Sequence, residues 1–111
     1  MNSHRYLCSQ LVKLRTDSGE SAVNLVVNLE EIWTTGAVLE SEEPVEEGTN
    51  IEIRCDTAFF AGRITRVERH EVGWRLEMEF SSLTPWSPEK FRPQHLLNVS
   101  DLDKPHGTKS G

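Results

Sequence analysis

Hydrophobic and polar residues alternate with a period of two from the N-terminus to about residue 80. The alternation is clearest over residues 23–30, where every second residue from Val23 to Leu29 is apolar, and over residues 72–80, where it has no exception. A period of two places successive side chains on opposite faces of a β-strand, so both segments are typical of half-buried antiparallel strands. The same pattern predicts further strands at residues 7–15, 37–39, 51–55 and 59–67.

One of these strands breaks the alternation. In residues 59–67, Phe60 and Ile64 have one parity and Val67 has the other, which a β-bulge near Arg66 would reconcile. Six short strands in a chain of this length predict a closed or nearly closed antiparallel β-barrel, because closure removes the exposed edges of a sheet. Polar segments that contain glycine predict tight turns between the strands, at residues 17–20, 46–50 and 70–73.

The pattern changes after Phe80. Thr84 and Ser87 each precede a proline, and a polar N-cap followed by proline is typical of a helix start. Pro93 limits this helix to a short one, and residues 94–99 are expected to add a further turn. The apolar residues expected to plug one barrel mouth are Trp86, Phe91, Leu96, Leu97 and Val99.

Length, charge and hydropathy narrow the possible classes of protein. The chain has 111 residues and a formal net charge of −6, with 12 Lys and Arg against 18 Asp and Glu. One domain fits this length, and double-stranded nucleic acid is disfavoured as a partner because its affinity depends on cationic side chains. We expect an all-β barrel with a C-terminal helix over residues 5–98 and a disordered polar tail over residues 99–111. No apolar run approaches the roughly 20 residues of a membrane span, which favours a soluble cytoplasmic protein without membrane insertion.

No arrangement of residues in the sequence indicates catalysis or a metal centre. Cys8 and Cys55 lie far apart without metal-ligand spacing, and both are predicted to be buried reduced thiols. The four histidines show neither metal-ligand nor acid–base spacing. The sequence has no nucleophile elbow, phosphate-binding glycine loop or metal-binding His-Glu helix. We therefore expect no enzyme, no metal and no cofactor, and a hydrolase or metalloenzyme is the least supported class.

The segment from Glu31 to Leu39, together with residues 62–67 and 74–80, resembles the PilZ domain of bacteria. The resemblance covers residues 5–98. It implies a six-stranded antiparallel barrel with a C-terminal helix, the same architecture that the alternation predicts independently. It also implies a signalling module of the family that binds cyclic di-GMP.

PilZ domains that bind cyclic di-GMP use two short motifs, Arg-x-x-x-Arg before the first strand and Asp/Asn-x-Ser-x-x-Gly after the second. Guanidinium groups match phosphate oxygens and stack on guanine planes, while the short polar motif holds guanine edges. In this chain the second motif falls on Glu31, Trp33 and Gly36, of which only the glycine matches. In the first motif Arg5 is present, but Ser9 stands where the second arginine would be.

These departures favour a domain that acts through a protein partner, as yet unknown, with dinucleotide binding weakened or lost. The run from Glu30 to Glu47 contains glutamates but no Lys or Arg, and such a segment repels a dianionic ligand. The alternative is a variant cyclic di-GMP receptor, with Trp33 stacking on guanine and nearby arginines supplying charge. A retained ligand site would comprise Arg5, Glu31, Trp33, Gly36, Arg66 and Arg69, and the candidates for partner binding are Trp33, Glu40, Glu42 and Glu43.

The sequence leaves two interpretations open for Trp33 and two for a group of three arginines. Trp33 either forms an exposed contact for a partner protein or folds over the barrel rim and fills the ligand groove. Arg54, Arg63 and Arg75 either form a basic lane that holds an anion or pair with glutamates on adjacent strands.

Overall fold

The computed structural model describes residues 5–16 and 22–98, and within these ranges it contains strands, turns and no helix. The first six strands correspond to the six that the alternation predicts. The strands are β1 (Tyr6–Thr16), β2 (Asn24–Trp33), β3 (Gly36–Ser41), β4 (Asn50–Cys55), β5 (Ala58–His70), β6 (Gly73–Phe80) and β7 (Leu97–Asn98).

The six long strands close into an antiparallel barrel. Along the sheet their order is β2-β3-β6-β5-β4-β1, and an additional pairing of β1 with β2 completes the ring. The short strand β7 pairs with the start of β1, through Tyr6 with Asn98 and Leu7 with Leu97. The predicted six-stranded antiparallel barrel is therefore confirmed.

The inward-facing side chains of the barrel form one apolar core. Alternation within each strand produces it, and in β4 the side chains of Ile51, Ile53 and Cys55 are buried while the residues between them are not. Phe60 and Phe80 stack with ring centroids 5.2 Å apart. Burying one such apolar side chain contributes about 1.5–3 kcal/mol, so this core is the main source of stability.

A register shift between β5 and β6 lies where the sequence predicts a bulge. Ile64 and Arg66 pair with the consecutive residues Met78 and Glu77, so Thr65 is the extra residue. The hydroxyl of Thr65 donates a hydrogen bond to the backbone oxygen of Glu77 at 3.3 Å. The extra residue shifts the parity of the strand, so that apolar residues on both sides of it face the core. The predicted bulge near Arg66 is confirmed.

Two apolar residues at the ends of predicted strands lie outside the barrel interior. Val23 precedes β2 and is 44 % exposed, and Val72 lies in the turn between β5 and β6 and is 83 % exposed. The alternation continues into the adjoining turns, where there is no sheet to define an inner face. Placing these two valines on the inner face was therefore wrong.

Turns and irregular segments replace the predicted C-terminal helix in residues 84–96, and the short strand β7 follows them. The backbone N–H of Phe91 donates to the carbonyl oxygen of Ser87 at 3.3 Å, which closes one turn that does not propagate. The prolines of the segment lack an N–H for continued helical bonding. The indole Nε1 of Trp86 also donates to the backbone oxygen of Phe91 at 2.8 Å, which folds the segment back on itself. The predicted disordered tail, residues 99–111, lies outside the described residues.

The same segment closes one barrel mouth. Trp86 and Phe91 are buried, and Leu96 packs partly against the core. Trp86 meets Tyr6 edge to face, with ring centroids 5.3 Å apart and an interplanar angle of 69°. The predicted plug is confirmed for these residues, whereas Leu97 is 42 % exposed and Val99 lies beyond the described chain.

Both cysteines are free thiols, as the sequence predicts, with Cys55 buried and Cys8 half-buried. Burial, together with the carboxylates of Glu31 and Glu30, raises the pKa of the Cys8 thiol to about 12. Burial likewise raises the pKa of Cys55 to about 12, with Asp56 and Cys8 adding to the shift. Because the thiolate is the reactive form, both side chains are poor nucleophiles at neutral pH.

Candidate functional site

The start of β1 and the end of β2 lie side by side at one end of the barrel. The two strands are antiparallel, and Tyr6 pairs with Ile32. Arg5, which directly precedes β1, therefore lies next to Trp33, the last residue of β2. Trp33 in turn pairs with Gly36 across the tight β2–β3 connection. The structure thus brings together four of the predicted ligand-site residues: Arg5, Glu31, Trp33 and Gly36.

The guanidinium of Arg5 makes two contacts within the chain. Its Nη2 lies 2.9 Å from Oε1 of Glu31, and its Cζ lies 4.2 Å from the centroid of the Trp33 ring. An indole face attracts a cation through the ring quadrupole, and a carboxylate attracts it by charge and hydrogen bonding. Arg5 therefore has both an aromatic plane and an anion supplied by its own chain.

Glu31 also binds a second arginine, which sequence reasoning did not place at this site. Nη2 of Arg75 lies 3.4 Å from Oε2 of Glu31. Glu31 is on β2 and Arg75 on β6, the two neighbours of β3, so this ion pair crosses the outer face of β3. Val38, which pairs with Glu31 from β3, is fully buried but does not belong to the interior core cluster. Its burial agrees with the side chains of Glu31 and Arg75 lying over it.

Trp33 is half-buried, and its ring lies under Arg5 and against the backbone of Gly36. This geometry matches the second of the two alternatives for Trp33, in which the ring folds over the barrel rim. The motif position that holds a small hydroxyl residue in ligand-binding PilZ domains is thus filled by an indole that packs on its own chain.

The glycine of the motif is required by packing. A Cβ on Gly36 would lie 2.5 Å from the backbone oxygen of Met78 and 2.9 Å from Cζ2 of Trp33. Both distances are too short for carbon contacts, and the backbone of β6 has little freedom to move. Gly36 therefore allows both the β3–β6 pairing and the seat of the Trp33 ring.

Replacing Gly36 with Ala is expected to lower the free energy of unfolding by about 1–3 kcal/mol, because the added methyl group overpacks this contact. Urea unfolding monitored by circular dichroism measures the change. Thr35→Ala, at the exposed neighbouring position, is the matched control and is expected to change stability by less than about 0.5 kcal/mol. Equal losses in the two variants would contradict the packing explanation.

Arg66 and Arg69 lie on β5, away from Arg5. Arg66 forms an ion pair with Glu68, and Cζ of Arg69 lies 5.1 Å from the centroid of the Trp74 ring. These contacts are with residues of β5 and β6, and within the described chain neither arginine forms an ion pair or ring contact with the residues around Arg5. The structure does not bring these two arginines to the Arg5 contact.

A groove of about 310 Å³ lies beside Trp33. Its volume is at the small end of the range for ligand sites, about 300–1,000 Å³. The lining contains two carboxylates and no cationic side chain, so the groove itself offers an anionic ligand no charged donor. The lining residues are Trp33, Thr35, Thr65, Glu77, Met78 and Glu79.

The acidic candidates for partner binding lie at the other end of β3. Glu40 is near the end of the strand, and its Oε1 lies 3.7 Å from Nδ1 of His70. Glu42 and Glu43 follow and are exposed. Ser41 Oγ donates to the backbone oxygen of Glu43 at 2.7 Å and accepts from its N–H at 3.1 Å, which fixes the start of this loop. Glu40 lies four residues along β3 from Gly36, the partner of Trp33, which is about 13 Å of strand, so the candidates do not form one continuous surface.

The missing site residue, Arg75, could not have been assigned from local sequence. The alternation places it on the outer face but predicts a glutamate partner on an adjacent strand. Its pairing with Glu31 can be predicted only when the strand order, with β3 between β2 and β6, is known. For Arg75, pairing with a glutamate is confirmed, while the expected adjacency of the strands was wrong.

Comparison with known proteins agrees with this architecture. No protein-family model matches the chain, and no curated protein matches it. Among solved structures, the chain is similar to the PilZ domain of YcgR from Escherichia coli, determined with c-di-GMP. The identity is 14 %, the alignment covers 80 % of this chain and 81 % of that one, and the TM-score is 0.55. The chain has the fold of a PilZ domain.

This fold explains why the motif positions converge although they are distant in sequence. In the PilZ barrel of this chain, the residues before β1 and those at the end of β2 meet at one mouth, and here they bind each other. Within the described ranges no group of three His, Cys, Asp or Glu side chains is arranged to hold a metal ion. The same ranges contain no helix long and apolar enough to cross a membrane.

Proposed function

We propose that this protein is a non-enzymatic, cytoplasmic signalling module of bacteria that acts by binding another protein. Its PilZ barrel retains the location of a cyclic di-GMP site, and its affinity for the dinucleotide is weakened or lost. The observation that carries the proposal is the double contact of Arg5 with Trp33 and Glu31.

Trp33 and Glu31 offer Arg5 the two groups that a guanine nucleotide would offer, an aromatic plane and an oxyanion. A ligand that binds Arg5 must displace both. An exposed cation–π contact contributes about 0.5–1 kcal/mol and an exposed ion pair about 0.2–1 kcal/mol. Their displacement lowers affinity by about 3- to 30-fold.

The second arginine of the motif is absent, and its replacement cannot compensate. Ser9 lies on β1, and its hydroxyl is 3.5 Å from Oδ1 of Asn28. A hydroxyl provides neither positive charge nor a planar fork for a phosphate. Losing a charged hydrogen bond costs about 1.5–3 kcal/mol, so this change alone weakens binding by about 10- to 150-fold.

The charge of the adjoining groove acts in the same direction. Glu77 and Glu79 line it, and no cation does. The groove therefore supplies no charged hydrogen-bond donor that could replace the missing second arginine. Taken together, these features favour a PilZ domain that signals through a protein partner.

A variant cyclic di-GMP receptor is the second candidate, and one observation favours it. The Arg5 side chain is 48 % exposed, so the guanidinium face opposite Trp33 is open to solvent. A guanine placed on that face would extend the stack of Trp33 and Arg5. In this receptor the indole supports the arginine, so removing it would weaken binding.

Isothermal titration of cyclic di-GMP into the wild-type protein and into Trp33→Ala distinguishes the two candidates. At about 150 mM salt, with GMP as control, we expect no saturable binding of cyclic di-GMP to the wild type. Trp33→Ala therefore has no affinity to lower. A wild-type Kd below about 10 μM, absent for GMP and raised at least tenfold by Trp33→Ala, would establish the receptor instead. A cooperative melting transition shows that each protein is folded.

A further inference from the structure

The outer face of the sheet carries an exposed row of two cations, on β1 and β4, between two apolar side chains on β2 and β5. Lys13 pairs with Val26 on one side and with Arg54 on the other, and Arg54 pairs with Phe59. All four residues are exposed, Val26 to 62 % and Phe59 to 51 %. Leu11, two residues before Lys13 on the same face, is 69 % exposed. We call these five residues the β1–β4 surface.

The charges in this row do not stabilise the fold. Lys13 and Arg54 are directly opposite each other, and like charges in that position are destabilising. Two residues further along β1, Arg15 is opposite Glu52, the complementary arrangement. Within the described chain neither Lys13 nor Arg54 forms an ion pair, whereas three other arginines do. The row is therefore better explained by a function outside the fold than by stability.

The apolar members of the β1–β4 surface are also unusual for a solvated sheet face. Three large apolar side chains are more than half exposed within one patch around the two cations. Patches of this composition, with aromatic residues and arginine beside aliphatic ones, are typical of protein interfaces. The row spans three strand spacings, about 14 Å, which matches the footprint of one extended peptide segment.

We propose that the β1–β4 surface binds an acidic polypeptide segment of a partner protein, in which carboxylates alternate with apolar side chains. This proposal rests on the proposed function, because it names the class of partner and the surface that binds it. The whole chain has a net charge of −6, so an acidic partner is attracted only where cations are left unpaired, as Lys13 and Arg54 are within the described residues. The same net charge disfavours an anionic membrane or a second copy of the chain as the occupant.

The surface is separate from the Arg5 contact. Arg5 directly precedes β1, whereas Lys13 lies seven residues after Tyr6, the first residue of that strand, and the β2–β3 turn is near the Arg5 end. Binding of a dinucleotide and binding of an acidic segment can therefore be measured independently. If cyclic di-GMP binds tightly, the proposed loss of dinucleotide affinity is wrong. The peptide-binding result expected for Lys13→Glu stays the same.

The test uses Lys13→Glu and a fluorescein-labelled peptide in which Glu alternates with Leu and Phe. We expect saturable binding by fluorescence anisotropy at about 150 mM salt and at least a tenfold loss of affinity in the variant. Arg92→Glu is the matched control, because it changes an exposed residue of the plug segment by the same charge and is expected to bind normally. Polyglutamate of equal length is expected to bind at least tenfold more weakly than the mixed peptide.

The melting temperature of Lys13→Glu provides a second readout. A purely structural role for Lys13 would not raise it. Lys13→Glu places a carboxylate opposite Arg54, so the variant is expected to melt about 1–5 °C higher than the wild type while binding less. A lower melting temperature with unchanged peptide affinity would overturn the proposal. Equal affinity for polyglutamate, binding to phosphatidylglycerol vesicles without binding to the peptide, or the absence of saturable peptide binding would also overturn it. A dimer in sedimentation that Lys13→Glu dissociates would assign the surface to a second copy instead.

Discussion

Trp86→Ala is expected to lower the free energy of unfolding by about 3–5 kcal/mol, the range for removing a large buried aromatic side chain. Trp86 is only 2 % exposed and belongs to the core cluster. The substitution removes the edge-to-face contact with Tyr6 and leaves the backbone oxygen of Phe91 without its indole donor. Chemical unfolding followed by far-ultraviolet circular dichroism measures this loss.

The same variant is expected to loosen the candidate site, because Trp86 connects its two halves. The ring of Trp86 contacts Tyr6, the neighbour of Arg5, and it anchors the segment whose backbone N–H at residue 86 donates to the oxygen of Thr34 at 3.0 Å. The substitution keeps that backbone bond but removes the ring that anchors it. Trp74→Ala is the control, since Trp74 is half-buried at the opposite end of β6. A loss for Trp86→Ala no larger than that for Trp74→Ala would show that the plug does not hold the barrel mouth.

Restoring the two motifs is expected to create measurable cyclic di-GMP affinity. The variant combines Ser9→Arg, Glu31→Asn and Trp33→Ser, which rebuild both PilZ motifs around Arg5 and Gly36. Removing the two competing contacts recovers about 0.7–2 kcal/mol, and a second arginine adds about 1.5–3 kcal/mol. The combined gain corresponds to an affinity between about 30-fold and several thousand-fold higher than that of the wild type.

Isothermal titration of the restored variant measures this gain, and two further variants identify its origin. Ser9→Arg alone retains the intrachain contacts of Arg5 and is expected to gain less than the restored variant. Arg5→Ala in the restored background is expected to abolish binding. If the restored variant, shown to be folded by its melting transition, binds no better than the wild type, the occupation of Arg5 is not what limits affinity.

The barrel could be predicted because its signal is local and repeated. Each strand alternates independently of its neighbours, and the break of parity before Val67 identified the bulge that the structure places at Thr65. The C-terminal helix could not be predicted in the same way. Thr84 and Ser87 carry good local signals for a helix start, and a turn does form after Ser87. Beyond that turn, the long-range contacts of Trp86 with the barrel mouth determine the path of the chain, and those contacts leave no local pattern.

The candidate site was predictable in its residues and not in its contacts. The motif comparison identified Arg5, Glu31 and Trp33, yet it gave no indication that these side chains bind one another. That result depends on the register of β1 against β2. The β1–β4 surface was missed for the same reason, because Lys13 and Arg54 are distant in sequence and become neighbours only through the pairing of β1 with β4.

The most direct test of the occupied Arg5 site is a titration of the wild-type protein with cyclic di-GMP, monitored by two-dimensional ¹H–¹⁵N spectra. This measurement reports on the indole N–H of Trp33 and on the backbone amides of residues 31–36, even for weak binding. The account predicts no saturable shifts of these signals below about 100 μM ligand. Saturable shifts confined to Trp33 and its neighbours, with a Kd below about 10 μM, would contradict it.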